Sequence, residues 1–456
     1  MRCDTPHFPH SNNWTNQLIL VDTELAKRVD AGNPVRVALV GGGYMARCIA
    51  LQIVTAIGGM ELVAIANRTL SKARRAYEDA GVDNPAAVTS KAELEAAISA
   101  GRCAITDDAE LVCTAGPIDA VIEATGNVEF GTQVVFDAIR NGKHVVLLGA
   151  EIDASVGPIL KVHADRAGVV YTYTDGDEPG VGMNLYRFLD NIGYKPVLMG
   201  QMKGFLDHYR NPETQIGFAE KHGQNPTVLA SFADGSKLAL EAAIMGNATG
   251  FVPQERGMRG YPCDHVNDMV AQFSPEDFEG REGLVEYSLG AAPHTGAFVI
   301  CRNDHPEKRR LMSYLKMGDG PLHMFYTPYH LPPWQIPHSV ARAVLFHDAT
   351  IAPRGAPVCD TVSYAKRDLQ AGEQLDGMGG FTCYGLVERS EICLQEDFLP
   401  IAVSLDCRLK RAVAKDQPIT YADVELPAGR LCDKLREEQK SHFAPPIQVN
   451  SAMGRN

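Results

Sequence analysis

Apolar positions in this chain form short continuous runs separated by stretches with helical spacing. Val35, Val37, Leu39 and Val40 make the first run, and residues 62–66 make the second. Runs of four to eight apolar residues read as strands buried on both faces. Upstream, Leu18, Leu20, Val21, Leu25, Ala26 and Val29 recur at helical spacing and predict a leading helix over 17–31. Downstream, the pattern predicts a polar helical region over 71–100 and a short strand over 103–108. A buried strand over 118–126, a helix over 131–141 and a strand over 145–148 follow. A further strand is expected over 169–173 and a helix over 183–193. Strands alternating with helices in this way predict an α/β chain with a doubly wound parallel sheet.

The middle of the chain reads differently. Residues 228–232 and 237–243 flank Asp234-Gly235 and predict a hairpin with a tight turn. Further strands are expected at 285–289 and 297–301. Together they suggest an antiparallel sheet that faces the nucleotide domain and a second subunit. A helix over 337–348 returns to the first sheet. Short strands at 358–369 and within 399–421 predict a small β-rich domain, followed by an amphipathic helix over 431–441. The expected division is a disordered arm over 1–16, a nucleotide domain over 17–180 with the returning segment 335–350, a catalytic and oligomerisation domain over 181–334, and an appended domain over 351–456.

The turn after the first strand carries the chemistry. Gly41, Gly43 and Ala46 give G-x-G-x-x-A between a strand and a helix. The first glycine permits the tight turn, the second lets backbone approach a pyrophosphate, and the alanine lets the helix pack closely on the sheet. Free N–H groups at Tyr44 and Met45 open a helix whose dipole favours phosphate. The second strand ends at Asn67-Arg68, where an NAD-binding domain carries an acidic residue. With no carboxylate there and Arg68 able to pair with a 2′-phosphate, NADP is expected over NAD. The alternative reading of Arg68, Lys72, Arg74 and Arg75 is a solvated basic helix face. Other strand ends that border the crevice are Ala124-Thr125-Gly126 and Gly149-Ala150-Glu151.

A formal net charge of −13 argues against nonspecific nucleic-acid binding. No apolar run approaches the roughly 20 residues of a membrane span. The first residues lack the layout of a signal peptide, and the eleven cysteines form no framework. A cytoplasmic protein with reduced thiols is therefore expected.

The fingerprint turn, Ala124-Thr125-Gly126 and Gly142-Lys143-His144-Val145-Val146 resemble the homoserine dehydrogenase superfamily over about 33–180. A narrower resemblance runs through most of the chain. Its motifs are 31–37 (AGNPVRV), Gly176-Asp177-Glu178-Pro179, Asn247-Ala248-Thr249-Gly250, Gly318 with Gly320-Pro321, and Pro328-Tyr329-His330-Leu331. These resemble the DXR-like group of 1-deoxy-D-xylulose 5-phosphate reductoisomerases, an enzyme type of isoprenoid biosynthesis. The stretch 365–369 with 371–373 resembles the first half of the SAF domain found in that group. The resemblance implies a nicotinamide-dependent oxidoreductase with a small-molecule substrate, and the β-rich middle sheet suggests a homodimer. This chain departs from the group at Gln201, where a second lysine would stand beside Lys203, and at Thr327, where an arginine would precede Pro328. Two lost cations weaken a phosphate pocket.

Hydride transfer to a carbonyl needs a cationic or hydrogen-bonding partner for the developing alkoxide and a proton source. Lys203, at the end of an apolar strand and lysine in the resembled group, is the first candidate for the alkoxide partner. Asp177 and Glu178 can orient it, bind a substrate hydroxyl, or hold a divalent metal with Asp175. An N-cap before Pro179 is the competing role for Asp177. Tyr329 and His330 suit proton donation on a rigid loop. Asn247 can donate hydrogen bonds from a loop, or be a structural turn, and Lys316 can bind an anionic group. Three functions remain open on these residues: reduction coupled to isomerisation, plain dehydrogenation of a sugar acid, polyol or homoserine-like compound, and nucleotide sensing without turnover.

Overall fold

The computed structural model describes residues 20–444. The expected arm over 1–16 lies outside them. Seven strands form the first sheet: β1 (Val35–Val40), β2 (Met60–Ala66), β3 (Ala86–Ala87), β4 (Ala104–Thr106), β5 (Ala120–Glu123), β6 (His144–Leu147) and β7 (Tyr171–Tyr173). All are parallel, in the order β3-β4-β2-β1-β5-β6-β7. The chain runs outward from β1 to β2 on one side and resumes at β5 on the other, so the order reverses at β1. Ligands of such sheets bind beyond the carboxyl ends at that point.

Each face of the sheet is covered. On one side the Tyr44–Ala56 helix buries Ala46, Ile49, Ala50 and Ile53 against Val35, Val37 and Leu39. Ile336, Val340 and Ala341 of the Pro332–Phe346 helix join the same cluster. On the other side the Val128–Arg140 and Ala150–Ala167 helices bury Val134, Val135, Ile152 and Ile159. Burying each such aliphatic side chain stabilises the fold by about 1.5–3 kcal/mol.

The region 71–100 is two helices rather than one. Leu70–Asp79 and Lys91–Ser99 are separated by Gly81 at φ +83° and by β3. A larger correction falls on the expected hairpin, because 228–232 and 237–243 lie in helices, Pro226–Ala233 and Ser236–Thr249. Asn225 caps the first helix by accepting the Thr227 N–H at 2.8 Å, and Pro226 suits its first position. Gly235, at φ +88°, turns the chain into the second. The Lys-Leu-Ala-Leu-Glu alternation looks strand-like, but Leu, Ala, Lys and Glu are strong helix formers.

The second sheet is mixed rather than antiparallel. Its strands are β8 (Lys195–Lys203), β9 (Val252–Pro253), β10 (Tyr261–Pro262), β11 (Leu284–Leu289), β12 (Ala297–Arg302) and β13 (Leu322–Thr327). β11 pairs parallel with β8, β9 and β10, whereas β12 pairs antiparallel with β8 and β13. The Glu178–Asn191 and Ser236–Thr249 helices cover one face. Val266, Met269 and Phe278 of the same chain cover the other, against Leu198, Leu284 and Ile300. Beyond residue 351, β14 (Cys359–Ala365) pairs antiparallel with β15 (Cys383–Arg389), and β16 (Arg408–Leu409) with β17 (Val424–Glu425).

The Leu431–His442 helix docks on a weak point of the Ala150–Ala167 helix. Pro158 lies inside that helix, lacks an N–H for the Ala154 carbonyl, and loosens the turn. There the Ser155 carbonyl accepts from Arg436 Nη1 at 2.9 Å and from Gln439 Nε2 at 3.4 Å. The Ile159 N–H donates to Gln439 Oε1 at 3.2 Å. Arg436 also donates to Asp360 Oδ2 at 2.7 Å and to the Tyr421 hydroxyl at 3.1 Å, so one buried guanidinium joins three segments. Arg436→Met should lower stability by about 3–5 kcal/mol, because it strands the Asp360 carboxylate. Gln439→Leu should lower it by about 1–3 kcal/mol. The double variant should lose less than the sum, because both side chains serve the Ser155 carbonyl. Urea denaturation of the three variants measures all of this.

Candidate active site

The crevice at the carboxyl ends of β1 and β5 is built by close backbone approach. Gly41 has φ +141°, and a Cβ there would lie 2.5 Å from the Ala124 carbonyl oxygen. Gly43 precedes the Tyr44–Ala56 helix without a side-chain cap, leaving the first-turn N–H groups of Tyr44 and Met45 free of one, and a Cβ at Gly43 would meet open space. These features fit a pyrophosphate. Asn67 lies beside Gly42, with its Oδ1 accepting the Thr69 N–H at 3.0 Å. Arg68 is exposed, and no salt bridge engages it among the described residues. Across the crevice Glu123 Oε1 accepts the Thr125 N–H at 2.7 Å and its hydroxyl at 2.5 Å, which shapes the turn at Gly126 (φ +66°). Burial pushes the Glu123 carboxyl up to about 7 against those hydrogen bonds, with the Glu151 charge adding to the rise. Glu151 stands in the first turn of the Ala150–Ala167 helix.

Next to this crevice three chain segments bring charges together. β7 ends at Tyr173, whose hydroxyl donates toward the Leu148 carbonyl at 3.3 Å and to Asp177 Oδ2. Asp177 is the N-cap of the Glu178–Asn191 helix, yet its side chain makes no cap hydrogen bond. Instead it accepts from Lys237 Nζ at 2.9 Å. Lys237 also reaches Glu241 at 3.2 Å, one helical turn along. Lys203, the last residue of β8, lies 3.5 Å from Glu178 Oε1 and 3.7 Å from Glu241 Oε2. His330 Nδ1 lies 3.5 Å from Glu178 Oε1 and 2.8 Å from the Thr295 hydroxyl. The Leu331 N–H donates to the Gly176 carbonyl at 2.9 Å, which ties the His330 loop to the Asp177 turn.

Three carboxylates therefore face two ammonium groups in a buried site. Burial alone would raise Asp177, but the Lys237 charge, His330 and two hydrogen bonds hold it well below the usual carboxylate range. Glu178 goes the opposite way, raised by burial and by the Glu241 charge despite Lys203. Burial opposes the charge on Lys203 and Lys237, yet the surrounding carboxylates outweigh it and raise both. Burial lowers His330. Glu178 therefore holds its proton to a higher pH than Asp177 does, beside Lys203, whose charge is favoured, and His330, whose charge is disfavoured. Two acidic groups with pKa values pushed apart suit opposite roles in proton transfer.

Asp177, Glu178, Lys203 and His330 thus come together as a cluster. Lys237 and Glu241 belong to it and were missed, because their segment reads as a strand. Their i, i+4 spacing and the helix-forming composition around them were the available signal. Asp175 points elsewhere, bonded by the Asn184 amide and 3.9 Å from Arg342. Asn247 is buried on a helix rather than in a loop. Its Oδ1 accepts the Val358 and Cys359 N–H groups at 2.9 and 3.0 Å, which fastens the start of β14. Lys316 is exposed just before β13, whereas His330 follows the other end of that strand, about 20 Å away at strand rise. Tyr329 lines a neighbouring cavity of about 240 Å³ with Thr327, Val181 and Phe188.

Asp177, Glu178 and His330 each offer a ligand atom within 4.8 Å of the others. They do not fit a divalent ion as arranged. Asp177 Oδ2 already holds Lys237 and Tyr173, and a dication would sit against two ammonium groups.

Residues 176–334 match a family model described as the catalytic domain of oxidoreductase DRL. That span, about a third of the chain, contains all six charged or titratable residues of the cluster. No curated protein matches the chain. Among solved structures, it is similar to an NAD binding oxidoreductase from Klebsiella pneumoniae, at 16% identity over 39% of this chain and 45% of that one, with a TM-score of 0.28. The chain thus spans less than half of that protein. It is also similar to scyllo-inositol dehydrogenase from Lactobacillus casei, at 12% identity over 69% of this chain and 89% of that one, with a TM-score of 0.40. A 3-ketoreductase from Actinomadura kijaniata, solved with TDP-benzene and NADP, shows 16% identity over 71% of this chain and 92% of that one, with a TM-score of 0.34.

Proposed function

We propose that this chain is a nicotinamide-dependent oxidoreductase that moves a hydride to or from a small polyhydroxylated carbonyl compound. The observation that carries the reading is the Lys203–Glu178 contact of 3.5 Å, a buried ammonium beside a carboxyl whose hold on its proton is raised by burial and by the Glu241 charge. The family match over 176–334 supports it.

In the reducing direction a carbonyl, a hydride and a proton give an alcohol. A bound nicotinamide supplies the hydride. Gly41, Gly43 and the first turn after it would hold the pyrophosphate. Arg68 would meet the 2′-phosphate of NADP, the nucleotide we favour. Lys203 stabilises the oxygen as negative charge develops on it. Glu178 delivers the proton, directly or through His330. Lys237 and Asp177 hold the Glu241 and Tyr173 side chains, so that Lys203 keeps its place. A rearrangement of the carbon skeleton before reduction, as in the DXR-like group, is the finer reading. Its test is NADPH oxidation with 1-deoxy-D-xylulose 5-phosphate and with unphosphorylated ketoses, followed by product identification. A branched polyol product supports the rearrangement, and an unbranched alcohol supports plain reduction.

Lys203→Met should lower kcat about 10²- to 10³-fold and leave NADPH affinity unchanged, as measured by fluorescence titration. Unchanged turnover in that variant would remove the proposed role. Glu178 gives up its proton only as pH rises through its raised pKa, so the reduction rate should fall on the alkaline side. Glu178→Gln should lose that limb of the pH profile along with about 10²-fold or more of the rate. Arg68→Ser should weaken NADPH at least about tenfold while changing NADH little, read by KM for each nucleotide. Equal losses for both would refute the 2′-phosphate contact.

A further inference from the structure

Gln201 is the unexplained polar group of this site. It is 1% exposed, and neither its amide nitrogen nor its amide oxygen has a hydrogen-bond partner. Leaving such groups buried and unpaired costs about 1–3 kcal/mol each, so a native structure that keeps one needs a reason.

The position of Gln201 supplies one. Met199, Gln201 and Lys203 alternate along β8 and share a face. A Cβ on Gly182 would touch Met199, so this face looks toward the helix that begins at Glu178. Gln201 therefore lies about 7 Å before Lys203 on the site side of the sheet. Its cross-strand neighbours are Tyr287 on β11 and Ala297 on β12, and Ala297 is paired in turn with Thr327. The cross-strand row Gln201–Ala297–Thr327 carries no charge.

The charges around that row are already matched. Lys203 contacts Glu178 and Glu241, and Lys237 contacts Asp177 and Glu241. The positive ends of both helices at the site also face carboxylates. Asp177 is the N-cap of one, and Asp234 accepts the Ser236 N–H at the start of the other. A phosphate monoester carries about −1.5 to −2 near neutral pH, and the two lysines of the cluster already face carboxylates.

We propose that the site takes an uncharged, unphosphorylated polyol or hydroxyketone, and that the Gln201 amide determines this specificity by bonding a substrate hydroxyl. A hydroxyl both donates and accepts, which matches an amide that offers an N–H and a carbonyl oxygen. The inference rests on the oxidoreductase reading for turnover but not for binding.

The test uses the NADPH- or NADP-loaded full chain and matched probes: myo-inositol with myo-inositol 1-phosphate, and 1-deoxy-D-xylulose with its 5-phosphate. The uncharged member should have the higher kcat/KM, by at least about tenfold. Gln201→Met should raise KM for it at least about tenfold with a smaller change in kcat, and Gln201→Lys should turn the preference toward the phosphate. Gln201→Met should also keep or raise the melting temperature, since it removes an unpaired amide. A melting temperature several degrees lower would make the amide structural and overturn the proposal, as would an unchanged KM or a wild-type preference for the phosphate. Calorimetric titration of the same loaded protein separates the two failures. Tighter binding of the uncharged probe without turnover removes the oxidoreductase reading and keeps this one. Tighter binding of the phosphate overturns this one alone.

Discussion

The pairing of Asp177, Glu178 and Glu241 with Lys203 and Lys237 is the constraint on which this architecture turns. Charges this deeply buried are tolerated only when paired, and removing one partner typically costs about 3–5 kcal/mol. The five residues come from the turn after β7, the end of β8 and one long helix. Each segment must therefore arrive within about an ångström of its place. Gly176 and Gly180 allow the close contacts this needs, since a Cβ on either would overlap neighbouring backbone. Lys366 works at a distance, donating to Asp234 at 2.8 Å and to the Arg210 carbonyl at 2.6 Å. It thereby ties the segment following Lys203 to the turn preceding Lys237.

The same pairing makes the site chemically uneven. Asp177 is surrounded by donors and stays ionised, whereas Glu178 has longer contacts and a carboxylate neighbour in Glu241. Two adjacent residues of one helix start thus differ in their hold on a proton, because one looks toward Lys237 and the other toward Lys203, His330 and Glu241. Two carboxyls whose hold on a proton differs this much, fixed side by side, suit opposite roles in proton transfer.

Much of the frame was legible from periodicity. The parallel sheet, its switch point and the glycine turn follow from apolar runs that bury both faces of each strand. Lys203, Asp177 and Glu178 stand at strand or helix ends, where a sequence points to them directly. Lys237 and Glu241 were hidden because a period of two in Lys-Leu-Ala-Leu-Glu outweighed helix propensity, and only the packed helix shows both side chains on one face. Asn247 misled for a different reason. A buried amide between glycine and alanine looks the same in sequence whether it serves a ligand or fastens a strand. Mixed pairing in the second sheet was also out of reach, since strand direction depends on contacts between residues far apart in the chain.

The proline turn at Pro158 has a consequence for how the protein is made. Its hydrogen-bonding partner Gln439 is 280 residues further along from Ile159. During synthesis the nucleotide-binding portion emerges long before that partner, at about 5–20 residues per second. For that interval the loosened turn is open to water and unlocked. The turn therefore cannot close until the Leu431–His442 helix has been made.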